Sequence, residues 1–178
     1  MNKGIGGHHR GFEGAKDEWL TPPGIIKSLG TFDLDPCSPV NRPWDTATKH
    51  YTTEDDGLLQ PWEVRVFLNP PYGPHTFTWM EKLYKHGNGI ALIFARTETE
   101  IFFKTVWGKA TSMLFLNGRL YFYDVKGVRA SNNSGAPSVL IAYGENNAEI
   151  LKNSKIPGFY VDLKHGSMIY ADDGMLGD

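Results

Sequence analysis

Cysteine is nearly absent: Cys37 stands alone among 178 residues, which excludes an internal disulfide and a thiolate zinc cluster. Long apolar runs are missing too. The longest, Ile90 to Ala95, is far too short to span a bilayer. The opening Met1-Asn2-Lys3-Gly4 is polar and has no apolar signal core, so a cytoplasmic protein with no membrane partner is expected. Neither sign of charge dominates. A formal net charge of −2 does not announce nucleic acid, and any such contact has to come from a local patch. There is no internal repeat. His8 and His9 sit in a glycine-rich leader and read as part of a mobile arm rather than as metal ligands, so no metal is implied.

What is present is an ordinary globular composition, with 40% hydrophobic and 21% charged residues in 19.9 kDa. That length fits one domain with a real core. The expected organisation is a flexible Gly/His-rich arm over residues 1–14, one folded domain over 15–160 and an extension over 161–178. The oligomeric state is not legible.

The most informative stretch is Asn69-Pro70-Pro71-Tyr72, which follows Val64 to Leu68, a run that reads as a buried strand. Asn69 and Pro70 each precede a proline and are pushed toward extended geometry, while each proline ring fixes its own φ and removes an N–H. The result is a stiff edge that offers acceptors. Such an edge suits a primary amine on an aromatic ring, whose lone pair is delocalised and poorly nucleophilic. The Asn69 side-chain oxygen and the Pro70 carbonyl can each accept one N–H, drawing the nitrogen toward a tetrahedral shape, and Tyr72 can stack on the ring. This is positioning plus preorganised electrostatics, without a side chain of unusual pKa. The alternative is a proline-stiffened turn that caps a strand.

The rest of the chain reads as mixed α/β. Thr21-Pro22-Pro23 predicts a helix start with Thr21 as N-cap and Pro22 at the first position, closed by Gly30. Phe32 to Asp35 alternates and stops at Pro36, as a strand does before a loop. Ser38 to Trp62 is irregular and polar, with turn chemistry at Asp55-Asp56-Gly57. Phe77, Met80, Leu83 and Tyr84 recur at helical spacing up to Gly87, and Ile90 to Ala95 is the next buried strand. Thr97 to Glu100 has the pattern of a capping box, predicting a helix from Glu98 to about Trp107. Met113–Leu116 and Leu120–Tyr123, joined through Asn117-Gly118, predict a hairpin, and Ser138 to Tyr143 a last core strand.

Asn-Pro-Pro-Tyr after a strand resembles the catalytic motif of S-adenosylmethionine-dependent amino-methyltransferases, a motif shared by enzymes that methylate adenine and some that methylate glutamine side chains. The resemblance extends further. Asp17-Glu18-Trp19 with Thr21-Pro22-Pro23, Asp33 to Ser38, Asp55 to Leu58 with Pro61-Trp62, Asn69 to Gly73, and Gly118-Arg119 together resemble the bacteriophage and prophage DNA adenine methyltransferase (Dam) family over roughly residues 17–144. The joint order is more specific than any single motif. The resemblance implies a Rossmann-like methyltransferase fold with a mixed sheet, helices on both faces and a C-terminal antiparallel hairpin. It implies S-adenosylmethionine as cofactor, DNA as partner, and methyl transfer to the exocyclic amine of a flipped adenine.

Residue by residue, it implies catalytic roles for Asn69, Pro70, Pro71 and Tyr72. It implies cofactor contacts for Thr21, Pro22, Asp35, Pro36, Cys37, Asp56, Leu58 and Asn69: Thr21 and Pro22 border the methionine end, Asp35 engages the amino group, and Asp56 with Leu58 meets the adenine. A carboxylate held at a strand end also has an independent case for pairing with an ammonium; the alternative for Asp35 before a proline, and for Asp56 before a glycine, is a turn residue. Two features depart from the wider methyltransferase pattern. No glycine-rich loop follows Asp35-Pro36, and no clear strand ends in an acidic residue for the ribose, Asp45 being the nearest.

For DNA, Arg96 follows a buried strand whose end lies beside Asn69, where an arginine suits a phosphate or the flipped nucleotide. Arg119 serves either as a DNA contact or as a hairpin brace, while Arg129 opens a polar stretch to Gly135 that is either ordered by DNA or an ordinary loop. Methylation of RNA adenine or of protein glutamine, and non-catalytic nucleic-acid binding on the same fold, are the competing readings.

Overall fold

A computed structural model of the chain describes residues 18–169. The arm over 1–14, Asp17 of the first motif and the end of the extension lie outside them. The described chain runs α1 (Pro23–Leu29), β1 (Leu34–Asp35), β2 (Lys49–His50), β3 (Val66–Leu68), α2 (Thr76–His86), β4 (Gly89–Phe94), α3 (Glu100–Thr105), β5 (Ser112–Leu116), β6 (Ser138–Tyr143), α4 (Glu145–Asn153) and β7 (Gly158–Asp162).

The strands form one sheet in the order β2-β1-β3-β4-β6-β5-β7. β2, β1, β3 and β4 are mutually parallel, while β6 runs antiparallel to both β4 and β5, and β7 antiparallel to β5. Only β6 and β7 are therefore reversed. This is the expected Rossmann-like mixed sheet.

Side chains alternate across it and make two cores. Val66 and Leu68 of β3, Ala91 and Ile93 of β4 and Val139 and Ile141 of β6 pack with Trp79, Met80 and Leu83 of α2 and Phe102 of α3. Phe67, Ile90, Leu92, Leu140 and Ala142 face the other way, toward Leu29 of α1 and Ala148 and Leu151 of α4. Burial on both faces explains why β4 and β6 read as continuous apolar runs.

Several boundaries differ from expectation. α1 begins at Pro23 with Pro22 as N-cap, at ψ 130°, and Thr21 makes no capping bond; Pro22 itself precedes a proline and is driven out of the helical region. Gly30, at φ 77°, ends the helix as expected. The Thr97 capping box does not form. Thr99 instead sits extended at the N-cap of α3, its hydroxyl donating to the Arg96 carbonyl at 2.8 Å, while the Trp107 indole N–H reaches the Thr97 carbonyl at 3.0 Å. The chain thus turns once before the helix starts.

The expected hairpin of 113–116 with 120–123 is not formed. β6 and β7 occupy both edges of β5, so Tyr123 pairs singly with Leu20 and with Arg129. The antiparallel part of the sheet comes from β6, β5 and β7. Ser138–Tyr143 is followed by α4 and β7, and Leu163 is buried in the core beyond residue 160. β2 lies inside the stretch read as irregular.

Candidate active site

β1 and β3 are parallel neighbours, with Leu34 beside Val66. Their carboxyl ends deliver Asp35 and Asn69 to one cleft of about 360 Å³, which Thr21, Thr46, Asp56, Tyr72 and Trp79 also line. Ligands in open α/β sheets bind at such strand ends.

The Asn69 amide is held by one side only. Its Nδ2 donates to the Trp19 carbonyl at 3.0 Å, whereas Oδ1 is buried without a hydrogen-bond partner. A buried acceptor left open costs about 1–3 kcal/mol, so this oxygen is primed for a donor from outside. Leu20 exchanges backbone hydrogen bonds with Tyr123 at 2.8 and 3.1 Å, which steadies the segment carrying the Trp19 carbonyl. Pro70 is buried. The next turn is locked by Thr76, whose hydroxyl donates to the Pro71 carbonyl at 2.7 Å and accepts the Gly73 N–H at 3.0 Å.

Tyr72 stacks on Phe94 with ring centroids 4.1 Å apart and planes 13° from parallel. It stands between the cleft and a second cavity of about 440 Å³, lined by Thr76, Phe94, Arg96 and Phe102 among others. Tyr72 remains 42% exposed, although desolvation raises its phenol above the ordinary range. The exposure is what bears on stacking, since the ring is neutral either way.

Asp35 is buried, and burial pushes its carboxyl up from 3.8 to about 6. Opposing that, its Oδ2 accepts the Thr46 hydroxyl and its Oδ1 accepts the Cys37 N–H at 3.2 Å, with the Arg42 charge helping further. The Cys37 thiol donates to the Asn69 carbonyl at 3.2 Å and so ties the two strand ends together. Burial and the Asp35 charge push that thiol well up, which keeps it protonated and unreactive.

Asp56 lines the cleft in the left-handed region, at φ 51°, a conformation that aspartate tolerates better than most residues. Next to it, a Cβ on Gly57 would fall 1.9 Å from the Pro36 carbonyl oxygen. The close approach usually provided by a glycine-rich loop after the first strand is made here between two protein segments. Leu58 packs against the core beneath the cleft rather than lining it, and Pro22 caps α1 outside the lining. Asp45 pairs with Arg42 at 3.1 Å, also away from the cleft.

Of the arginines, Arg96 lines the second cavity. Arg119 is exposed, and Arg129 lies over the Tyr121 ring at 3.6 Å. Thr46 and Thr76 escaped the sequence reading. Thr76 had a signal, a hydroxyl at a helix start three residues after a glycine; Thr46 had none, because it meets Asp35 through the fold alone.

Among the described residues no group of three or more His, Cys, Asp or Glu side chains is placed to hold a metal ion, and no helix is long and apolar enough to cross a membrane. A family model described as DNA N-6-adenine-methyltransferase (Dam) matches residues 10–157. Comparison with curated proteins and with solved structures produced no match.

Proposed function

The chain belongs to the DNA N-6-adenine-methyltransferase (Dam) family, and from that premise we propose that it takes its methyl group from S-adenosylmethionine and delivers it to the exocyclic amine of an adenine turned out of DNA. The observation that carries this reading is the state of Asn69. Its donor is satisfied by Trp19 while its buried oxygen has no partner, which leaves one oriented acceptor for an amine N–H. An adenine within a duplex is stacked and paired, so it has to leave the helix before its amine can reach a cleft.

The cofactor fits the residues present. The Thr21 hydroxyl is buried without a partner in the cleft wall, Asp35 is a buried carboxylate there, and Asp56 faces the same space. Asp35 would take the ammonium, Thr21 the methionine end and Asp56 the adenine amine. When bound, the cofactor supplies an electrophilic methyl group on a sulfonium. Asn69 and the Pro70 carbonyl draw the substrate amine out of conjugation, and Tyr72 supports the base as a flat neutral surface backed by Phe94.

Labelled-methyl transfer measured in parallel on DNA, RNA and protein tests the reading. Label in DNA, recovered as N6-methyladenine and abolished in Asn69→Ala, is the expected outcome. Label confined to RNA or to glutamine would overturn it.

A further inference from the structure

We propose that Lys82 is a positioning residue for cofactor binding: from α2 it holds the backbone of residues 57–60 so that Asp56 and Gly57 face the cleft. The inference rests on the reading that S-adenosylmethionine occupies that cleft. The Lys82 Nζ donates to the carbonyls of Leu58 at 2.6 Å, Gln60 at 2.6 Å and Gly57 at 3.3 Å. An ammonium has three N–H donors, and three converging carbonyls of one loop take them. No ion pair engages Lys82 among the described residues, so its charge serves neutral acceptors and thereby the path of the backbone.

The surroundings fix the contact from below. The ammonium lies 4.8 Å over the Trp62 ring, Trp62 stacks on Trp79 of the same helix at 6.1 Å, and the Trp62 indole N–H donates to the same Gly57 carbonyl at 2.9 Å. Desolvation lowers the pKa of Lys82, with the Asp56 charge opposing that shift. The loop is also held by the Trp62 indole and by bonds of its own, such as Gln60 Nε2 to the Asp55 carbonyl at 2.8 Å, but among the described residues Lys82 is the side chain that gathers three of its carbonyls. The loop contains no strand or helix, and it carries a left-handed Asp56 next to a glycine pressed against Pro36.

Two substitutions test the role. Lys82→Met keeps the stem over Trp62 and removes all three donors, and Lys82→Arg keeps the charge but presents a planar fork that cannot meet three carbonyls converging on one point. Both are expected to raise the Kd for S-adenosylhomocysteine and the KM for S-adenosylmethionine by about tenfold or more. The kcat at saturating cofactor should stay within about twofold. A purely structural role would instead lower the amount of folded protein and leave those constants unchanged.

Unchanged cofactor affinity in either folded variant, or a loss confined to kcat, overturns the assignment while leaving the cofactor reading intact. Failure of the unsubstituted chain to bind either compound overturns both. Lys82→Arg keeps the measurement possible if Lys82→Met does not fold.

Discussion

Asn69 and Asp35 occupy equivalent places, each at the carboxyl end of a parallel strand, yet their surroundings prepare them for different partners. Asn69 offers a neutral acceptor with its amide orientation already set by Trp19. Asn69→Ala is expected to slow methyl transfer to DNA by about 10²–10³-fold, the usual effect of losing one preorganised partner, with the fold and much of the cofactor affinity retained. Single-turnover rates on the folded variant check this, and a change of only a few-fold would remove Asn69 from the mechanism.

Asp35 is a charge held where charge is unfavourable. Its folded-state pKa of about 6 lies above the ordinary 3.8, so the native chain binds the proton more tightly than the unfolded one. Stability tied to Asp35 is therefore greatest in acid, declines as pH rises from 3.8 to about 6, and is flat above. The ionised group costs about 3 kcal/mol at neutral pH, which an arriving ammonium would offset. Cofactor affinity should accordingly rise about tenfold per pH unit up to that value and level off beyond it. In Thr46→Val, which removes the hydroxyl that favours the carboxylate, the midpoint should move upward. Calorimetric titration across this range decides the matter, since a flat profile would separate Asp35 from the cofactor.

Among the elements, the loop between β2 and β3 depends most on a single atom's worth of space. It crosses the end of β1 so closely that a methyl group on Gly57 cannot be placed beside the Pro36 carbonyl, 1.9 Å away. Pro36 is fixed by its ring and by the strand, so the loop is the part that has to move. Gly57→Ala is expected to weaken cofactor binding by about tenfold or more, since side-chain overpacking typically costs about 1–3 kcal/mol. DNA affinity measured without cofactor should not change. Most of the sheet core lies on other elements, the loop adding Tyr51 and Trp62 to it, and circular dichroism should show the same secondary structure. Cofactor affinity equal to that of the unsubstituted chain would mean that the loop adapts and does not shape the cleft.

At the scale of the whole molecule, most of the described chain is committed to the sheet, its two core layers and the cleft. The stretch from residue 38 to 62, read from the sequence as irregular and polar, is largely occupied: Thr46 holds Asp35, while Asp56 and Gly57 line the cleft. The loop from 117 to 137 remains, with Arg119 exposed and Arg129 stacked on Tyr121. Few base contacts support little discrimination, since each good bidentate contact supplies about 1–3 kcal/mol. Modified-base sequencing of exposed DNA is therefore expected to show a short or degenerate adenine-containing target. Binding should show a shallow salt dependence, and Arg119→Ala and Arg129→Ala should each lower its slope by about 0.9, alike on every sequence. A long strict target would require a partner chain or an oligomer to supply the missing readout.

The sequence alone determined whatever depends on neighbouring residues. Two consecutive prolines after an apolar run mark a strand ending in a stiff acceptor edge, and β3, β4 and β6 announce themselves as continuous apolar stretches because both their faces are buried. Gly87 ends α2 at φ 74° for the local steric reason that suggested it. The motifs in their order were also enough to suggest the family. Tertiary structure decided the matters that turn on competition between distant segments. β2 is two residues long and polar, so only its pairing with β1 makes it a strand. The 120–123 segment lost β5 to β6 and β7, and took Leu20 instead. The Thr46 bond to Asp35 and the Lys82 bonds to the 57–60 loop join residues that no periodicity relates. Such contacts form because the sheet brings strand ends together and removes water from them, and a linear pattern carries no record of which buried carboxylate or carbonyl will then need a donor.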